Sequence, residues 1–230
     1  MYKYETHLHT APVSKCSRAT VRESLEFYKK IGYDGVFITN HFIDGNINVD
    51  RALPYSERIR FYFSDYKEAL KLSEEIGISV FCGVEMSYGG TDFLVYGLSE
   101  EWYLSHPEIE GMKKSQLLNI LREEGALVIQ AHPFREAAYI DHIRLFPRHV
   151  HGVEVVNASR NAFENSMAEY YAENYGLIKF AGSDNHSAGR VKNLGGMESP
   201  HRINNVEEFI SGVLSGEIKY FTHPNPLITE

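Results

Sequence analysis

Four times along this chain a polar, helix-like stretch ends in glycine and gives way to a short apolar run: KKIGYDGVFITNH, EEIGISVFCGVE, REEGALVIQAH and ENYGLIKFAGSDNH. Gly32, Gly77, Gly125 and Gly176 fall just past a helix end, where a left-handed backbone favours glycine. Each run is rich in Val, Ile, Leu and Phe without clean polar alternation, the pattern of a strand covered on both faces. Helix followed by parallel strand, repeated, constrains the fold more than any other feature, because parallel strands need helical cover and right-handed crossovers. Further strands are expected at 3–8 and in DFLVYG, GVEVVN and IKYFTH, and helices at about 55–76, 114–124, 160–175 and 205–215. Thr20 and Glu23 form a capping box for a helix running to about Lys30, with Val21, Leu25 and Phe27 or Tyr28 facing a sheet. Alternation from end to end favours a (β/α) barrel over an open sheet. NHFIDGNINVDRALPYS and HSAGRVKNLGGMESPHR read as long loops over a site.

At 230 residues, with 43% hydrophobic and 23% charged, the chain has material for one sizeable core, and a single domain over 1–230 is expected. Apolar runs such as ISVFCGV are too short to span a bilayer, and MYKYETHLHT lacks a signal-peptide core, so the expectation is a soluble cytoplasmic protein. Two cysteines, Cys16 and Cys82, make no disulfide framework. The net charge of −8 argues against a general nucleic-acid surface but allows a local cationic site.

Each glycine-strand unit ends on a residue able to bind a metal: His41, Glu85, His132, and Asp184 with His186. The ends of parallel barrel strands converge on one mouth, so these residues are expected to meet there. His7 and His9 end the first strand and share one of its faces, as do Asp184 and His186 in Asp-x-His. Any one histidine at a strand end reads equally as a hydrogen-bonded loop residue. A carboxylate ending so apolar a strand as FCGVE is costly to bury without a cation. The mixed imidazole and carboxylate set fits Zn, Fe or Mn better than Ca or Mg, and seven ligands exceed the needs of one four-coordinate ion, which implies two or three ions. His106, His142, His149, His151 and His201 read as surface residues, His223 as a strand-end residue to watch, and Glu154 as a structural residue beside the site.

The ordered set H-L-H-T, I-T-N-H, G-V-E, A-H-P and G-S-D-N-H, running from His7 to His186, resembles the PHP (polymerase and histidinol phosphatase) family of metal-dependent phosphoesterases. The resemblance implies a distorted (β/α)7 TIM-like barrel with a trinuclear site at the carboxyl end of the strands. It makes His7, His9, Glu85 and Asp184 ligands of one ion, with Glu85 bridging to a second held by His132, and His41 and His186 ligands of a third. Two positions depart from the family pattern. Asp92 in TDFLVYG stands where many members have histidine and is expected to join His132 and Glu85. Cys16 either completes the third ion as a thiolate or is a small buried residue. Asn40 stands where the family often has aspartate.

The implied activity is hydrolysis of a phosphate ester by a metal-bound hydroxide, with Glu85, His132 and Asp184 holding the ions and no covalent enzyme intermediate. Arg18, Arg135, Arg160 and Arg190 follow metal-type motifs or strand ends; Arg160 and Arg190 are the leading candidates to clamp phosphoryl oxygens, and any of the four also reads as a surface charge. The expected substrate is a small phosphomonoester, histidinol-phosphatase-like. A phosphodiesterase or exonuclease acting on nucleotides or short oligonucleotides, and a non-catalytic metal-binding module, are the alternatives. An amidohydrolase also opens with H-x-H but usually adds a lysine at a strand end, and these strand ends have none. Nothing in the sequence selects an oligomeric state.

Overall fold

The computed structural model describes residues 1–228, and among them nine strands form one sheet. They are β1 (Tyr2–Leu8), β2 (Gly35–Ile38), β3 (Ser79–Tyr88), β4 (Thr91–Tyr96), β5 (Leu127–Ala131), β6 (Gly152–Asn157), β7 (Ile178–Gly182), β8 (Asn193–Ser199) and β9 (Lys219–Pro224). The helices are α1 (Val21–Lys30), α2 (Tyr55–Tyr62), α3 (Ser64–Ile76), α4 (Glu100–Ser105), α5 (Lys114–Glu123), α6 (Ala162–Tyr175) and α7 (Val206–Ser215). The sheet order is β7-β6-β5-β4-β3-β2-β1-β8-β9. Strands β4 and β8 pair antiparallel with both neighbours, so the other seven run one way and these two run against them. The architecture is a barrel-shaped α/β sheet, not a plain repeat of seven βα units.

Local chemistry accounts for most of these elements. Gly32, Gly77, Gly125 and Gly176 all take positive φ at helix ends, as the sequence pattern requires. Thr20 with Glu23, and Asn161 with Glu164, form capping boxes at the starts of α1 and α6. The expected helix over 55–76 is broken at Phe63 into α2 and α3. Inward-facing Phe37, Phe81, Leu94, Tyr96, Ile129 and Phe180 pack with Phe209 of α7 in the barrel. The alternate residues Val84, Phe93, Val95 and Val128 pack outward under α5. Both faces are therefore apolar, which is why the strands show no alternation of polarity.

A loop expectation also fails. NLGGMES lies within a segment read as a long loop, yet it is β8. Two adjacent glycines lower strand propensity, but tertiary structure needs them: a Cβ on Gly195 would lie 2.8 Å from the Gly182 carbonyl oxygen, and one on Gly196 2.3 Å from that of Tyr4. Here the barrel draws shut. The end of β1 bonds to the segment after β7, with His9 N donating to Asn185 O at 3.0 Å and Asn185 N to His7 O at 3.2 Å. Thr6 Oγ1 also donates to Ala181 O. No helix among the described residues is long and apolar enough to cross a membrane.

Candidate metal centre

The inward alternation continues past the apolar layer to the barrel mouth, formed by the carboxyl ends of the parallel strands and the amino end of β4, where it presents imidazoles and carboxylates. His7 and His9 come from β1 and the turn after it, His41 follows β2, Glu85 lies on β3, Asp92 on β4, His132 follows β5, and Asp184 and His186 follow β7. His7 and His9 are fully buried, and Glu85 is 1% exposed. Above them opens a cavity of about 640 Å³ lined by Cys16, His41, Glu85, Asp92, His132, Asp184 and His186, among others.

The ligand atoms converge. His7 Nε2 lies 3.1 Å from His9 Nε2, 3.2 Å from Glu85 Oε1 and 3.6 Å from Asp184 Oδ1. His9 Nε2 is 3.5 Å from both Glu85 Oε2 and Asp184 Oδ1. Four donors around an ion at metal-ligand distances of about 2.0–2.2 Å stand roughly 3.3–3.6 Å apart, close to these separations. His132 Nε2 faces Glu85 Oε1 at 3.3 Å, Asp92 Oδ2 at 3.8 Å and Asp184 Oδ2 at 3.9 Å. His41 Nε2 lies 3.2 Å from Cys16 Sγ, and its Nδ1 is 2.5 Å from Glu85 Oε2, misaligned for a hydrogen bond. Three groups have ligand atoms close enough to hold an ion: His7, Glu85 and His132; His7, His9 and Asp184; His9, His41 and His186.

Neighbouring polar groups set the rings. A carboxylate only accepts, so His7 Nδ1 donates to Glu154 Oε1 at 2.9 Å. Ser14 Oγ donates to Asn40 Oδ1 and so accepts from His9 Nδ1 at 3.0 Å. In their neutral forms both rings therefore present a bare Nε2 to the cluster. Glu154 Oε2 accepts from His132 N and from Asn157 Nδ2, which also donates to Asp184 Oδ2. His132 at φ 24° and Asp184 at φ 51° hold left-handed backbone that non-glycine residues rarely take, a strain the surrounding contacts sustain.

Electrostatics follow from this crowding. Burial disfavours charge on His7, but Glu154, Asp184 and Glu85 outweigh it and lift its pKa well above the ordinary histidine value. Burial, reinforced by His186 and His41, holds His9 well below it. Burial opposes ionisation of Glu85, yet His41 and His7 keep its carboxyl well below the usual range, and His7 and His186 do the same for Asp184. Burial pushes the Cys16 thiol up, but hydrogen bonds with His186 and His41 bring it down to about 6. Glu85 Oε2 and His41 Nδ1 are buried with no hydrogen-bond partner. Acceptor atoms facing one another with such orphans among them fit divalent cations, which supply the missing positive charge.

All nine predicted metal-type residues thus come together, including Cys16 beside His41 and Asp92 beside His132. Asp92 also accepts from Arg135 Nη1 at 3.3 Å. The arginines divide. Arg135 and Arg160 line the cavity, and Arg160 Nε is buried without a partner. Arg190 and Arg18 line a separate surface groove, because the turn at Ala188–Arg190 leaves the strand end and packs on α1, with Gly189 beside Phe27. His106, His142, His149, His151, His201 and His223 are absent from the cavity lining. Sequence reasoning missed the reach of Glu154 and missed Glu5, which is fully buried and accepts from the amides of Thr6, His7 and Ser183. Same-face spacing was available for Glu5, two residues before His7; for Glu154 the signal is a carboxylate inside an apolar strand.

No protein-family model matches the sequence, and no curated protein does. Solved structures do. A two-domain protein from Bacteroides vulgatus, named as containing a predicted PHP-like metal-dependent phosphoesterase, superposes with TM-score 0.70 at 15% identity, over 96% of this chain and 64% of that one. The chain thus spans less than two thirds of that relative. A Bifidobacterium adolescentis protein named as a candidate metal-dependent phosphoesterase gives TM-score 0.57 at 13% identity over 92% and 95% of the two chains. An amidohydrolase from Chromobacterium violaceum, with bound sulfate and no metal, gives 0.53 at 16% identity over 94% and 96%. The fold is the one adopted by PHP-like metal-dependent phosphoesterases, in keeping with the resemblance carried by the motifs.

Proposed function

We propose that this chain is a PHP-family hydrolase that cleaves a small phosphomonoester with two or three divalent transition metal ions. The observation that carries this reading is the convergence of the His7, His9, Glu85, His132 and Asp184 ligand atoms beneath an open cavity. Bound Zn, Fe or Mn would lower the pKa of coordinated water toward neutrality and neutralise phosphoryl charge. Around the ions, Glu154 and Ser14 hold His7 and His9 with Nε2 inward, and Asn157 steadies Asp184. Arg160, which lines the cavity, would donate from its guanidinium to a phosphoryl oxygen. Arg135 stands across Asp92 as a second cation at that wall.

A cavity of about 640 Å³ under a chain of net charge −8 favours a small anion neutralised locally over a long polyanion. No lysine is among the residues lining the cavity, which sets the site apart from an amidohydrolase using one. Elemental analysis of the purified protein, with aryl phosphate hydrolysis by wild type and His132→Ala, tests the reading. Bound transition metal and hydrolysis lost in the variant are expected; no metal, and no phosphate released under added Mn, Fe or Zn, would refute it. Phosphomonoesters assayed against phosphodiesters then separate phosphatase from nuclease.

A further inference from the structure

Beside the cavity over the metal-type side chains lies a second hollow of about 250 Å³, walled by Phe42, Ile43, Met86, Ile109, Met112 and Leu117. Asp44 and Ser87 line both. The charged groups of the second hollow are already paired. Lys114, only 6% exposed, donates from Nζ to Asp44 Oδ2 at 3.0 Å, and Ser87 N donates to Asp44 Oδ1 at 3.0 Å. Glu110 takes both of its bonds from the Arg58 guanidinium. Apart from the Ser87 and Tyr88 hydroxyls, what remains for an occupant is hydrocarbon, so an apolar ring gains by burial there, whereas a cationic ring finds no free carboxylate. Glu85 faces the metal-type cluster, Ser87 two residues on shares that face roughly 7 Å away and lines both spaces, and Met86 between them points into the hollow from the other face of the strand.

Building on the phosphoesterase reading above, we propose that this hollow is the subsite for the alcohol half of the substrate. The preferred esters are phosphomonoesters of alkanols carrying an apolar ring a few bonds from the ester oxygen. With phosphate at the metal-type cluster, an alkyl chain of that length crosses Asp44 and Ser87 and seats the ring against Met86, Met112 and Leu117. The position favours an apolar ring over an imidazolium, since the acid groups nearest it are held by Lys114 and Arg58.

The test compares 3-phenylpropyl phosphate with n-propyl phosphate, which share the ester and differ only in the ring. Wild-type kcat/KM is expected to be roughly tenfold or more higher for the phenyl compound. Met112→Trp, which fills the hollow, is expected to erase that advantage while turnover of n-propyl phosphate is unchanged; Ile109→Trp serves where the first variant does not fold. Equal kcat/KM in wild type, or an advantage that survives filling, overturns the subsite. If neither ester is hydrolysed, the phosphoesterase reading rests on the aryl phosphate assay above, and the hollow is judged on binding alone. Saturation-transfer NMR with 3-phenylpropan-1-ol then supports it if the signal is present in wild type and lost on filling, and overturns it if wild type gives no signal.

Discussion

A single carboxylate, Glu154, touches the His7 ring, the His132 amide and, through Asn157, Asp184. Partners of this kind fix a ligand's tautomer and orientation, and losing one lowers metal affinity about 10–100-fold. Glu154→Gln is expected to weaken Zn binding by that order in competition with a chromophoric chelator while far-UV circular dichroism is unchanged; undiminished affinity would show that His7 holds its orientation unaided. Cys16 poses a separate question. Its sulfur lies 3.2 Å from His41 Nε2, and its thiol titrates near 6, so it is poised to bind as a thiolate. Cys16→Ser is expected to lower the metal content of the purified protein, whereas unchanged content removes Cys16 from the ligand set.

Among the elements, β7 decides how the barrel closes. A Cβ on Gly182 would lie 2.4 Å from His7 Cβ and 2.8 Å from Glu154 Oε1, so the bare backbone of β7 is what lets β1 and β6 bring the His7 and Glu154 side chains together. Gly182→Ala is expected to cost roughly 1–3 kcal/mol by overpacking, read from urea unfolding, and to weaken metal binding with it. An unchanged midpoint would show that the closure has room for a methyl group. The same reasoning explains β8, whose Gly195 and Gly196 disguise it as a loop in the sequence while meeting the backbone of β7 and β1 in the fold.

For the molecule as a whole, the charge cluster links stability to pH and metal. In the metal-free chain His7, His41, His132 and His186 have raised pKa values. Their stabilisation is full below the unfolded histidine value of about 6.5 and is lost as pH rises through the folded values; His9, shifted down, acts in the opposite sense. Bound ions require deprotonated ligands and replace those protons. The Tm of chelator-treated protein is therefore expected to fall as pH rises above about 6.5, and the gain on adding metal to be larger near pH 8 than near pH 6. At free metal about 100-fold over Kd the gain is about 2.7 kcal/mol, or roughly 5–10 °C for a chain of this size. A gain that shrinks with rising pH would contradict the cluster as the binding site.

The residues that gather at the barrel mouth were legible one by one, because strand ends, helix-ending glycines and alternate-residue faces are local patterns. His7 and His9, and Asp184 with His186, announce themselves within three residues. The sequence by itself determined most of the elements and which strand ends carry metal-type side chains. Tertiary structure alone decided how the ends meet: Glu154 reaches His7 across 147 residues, β8 closes the sheet through two glycines, and Arg160 rather than Arg190 lines the cavity. Those outcomes rest on close approach between distant segments, and local propensity carries no record of it.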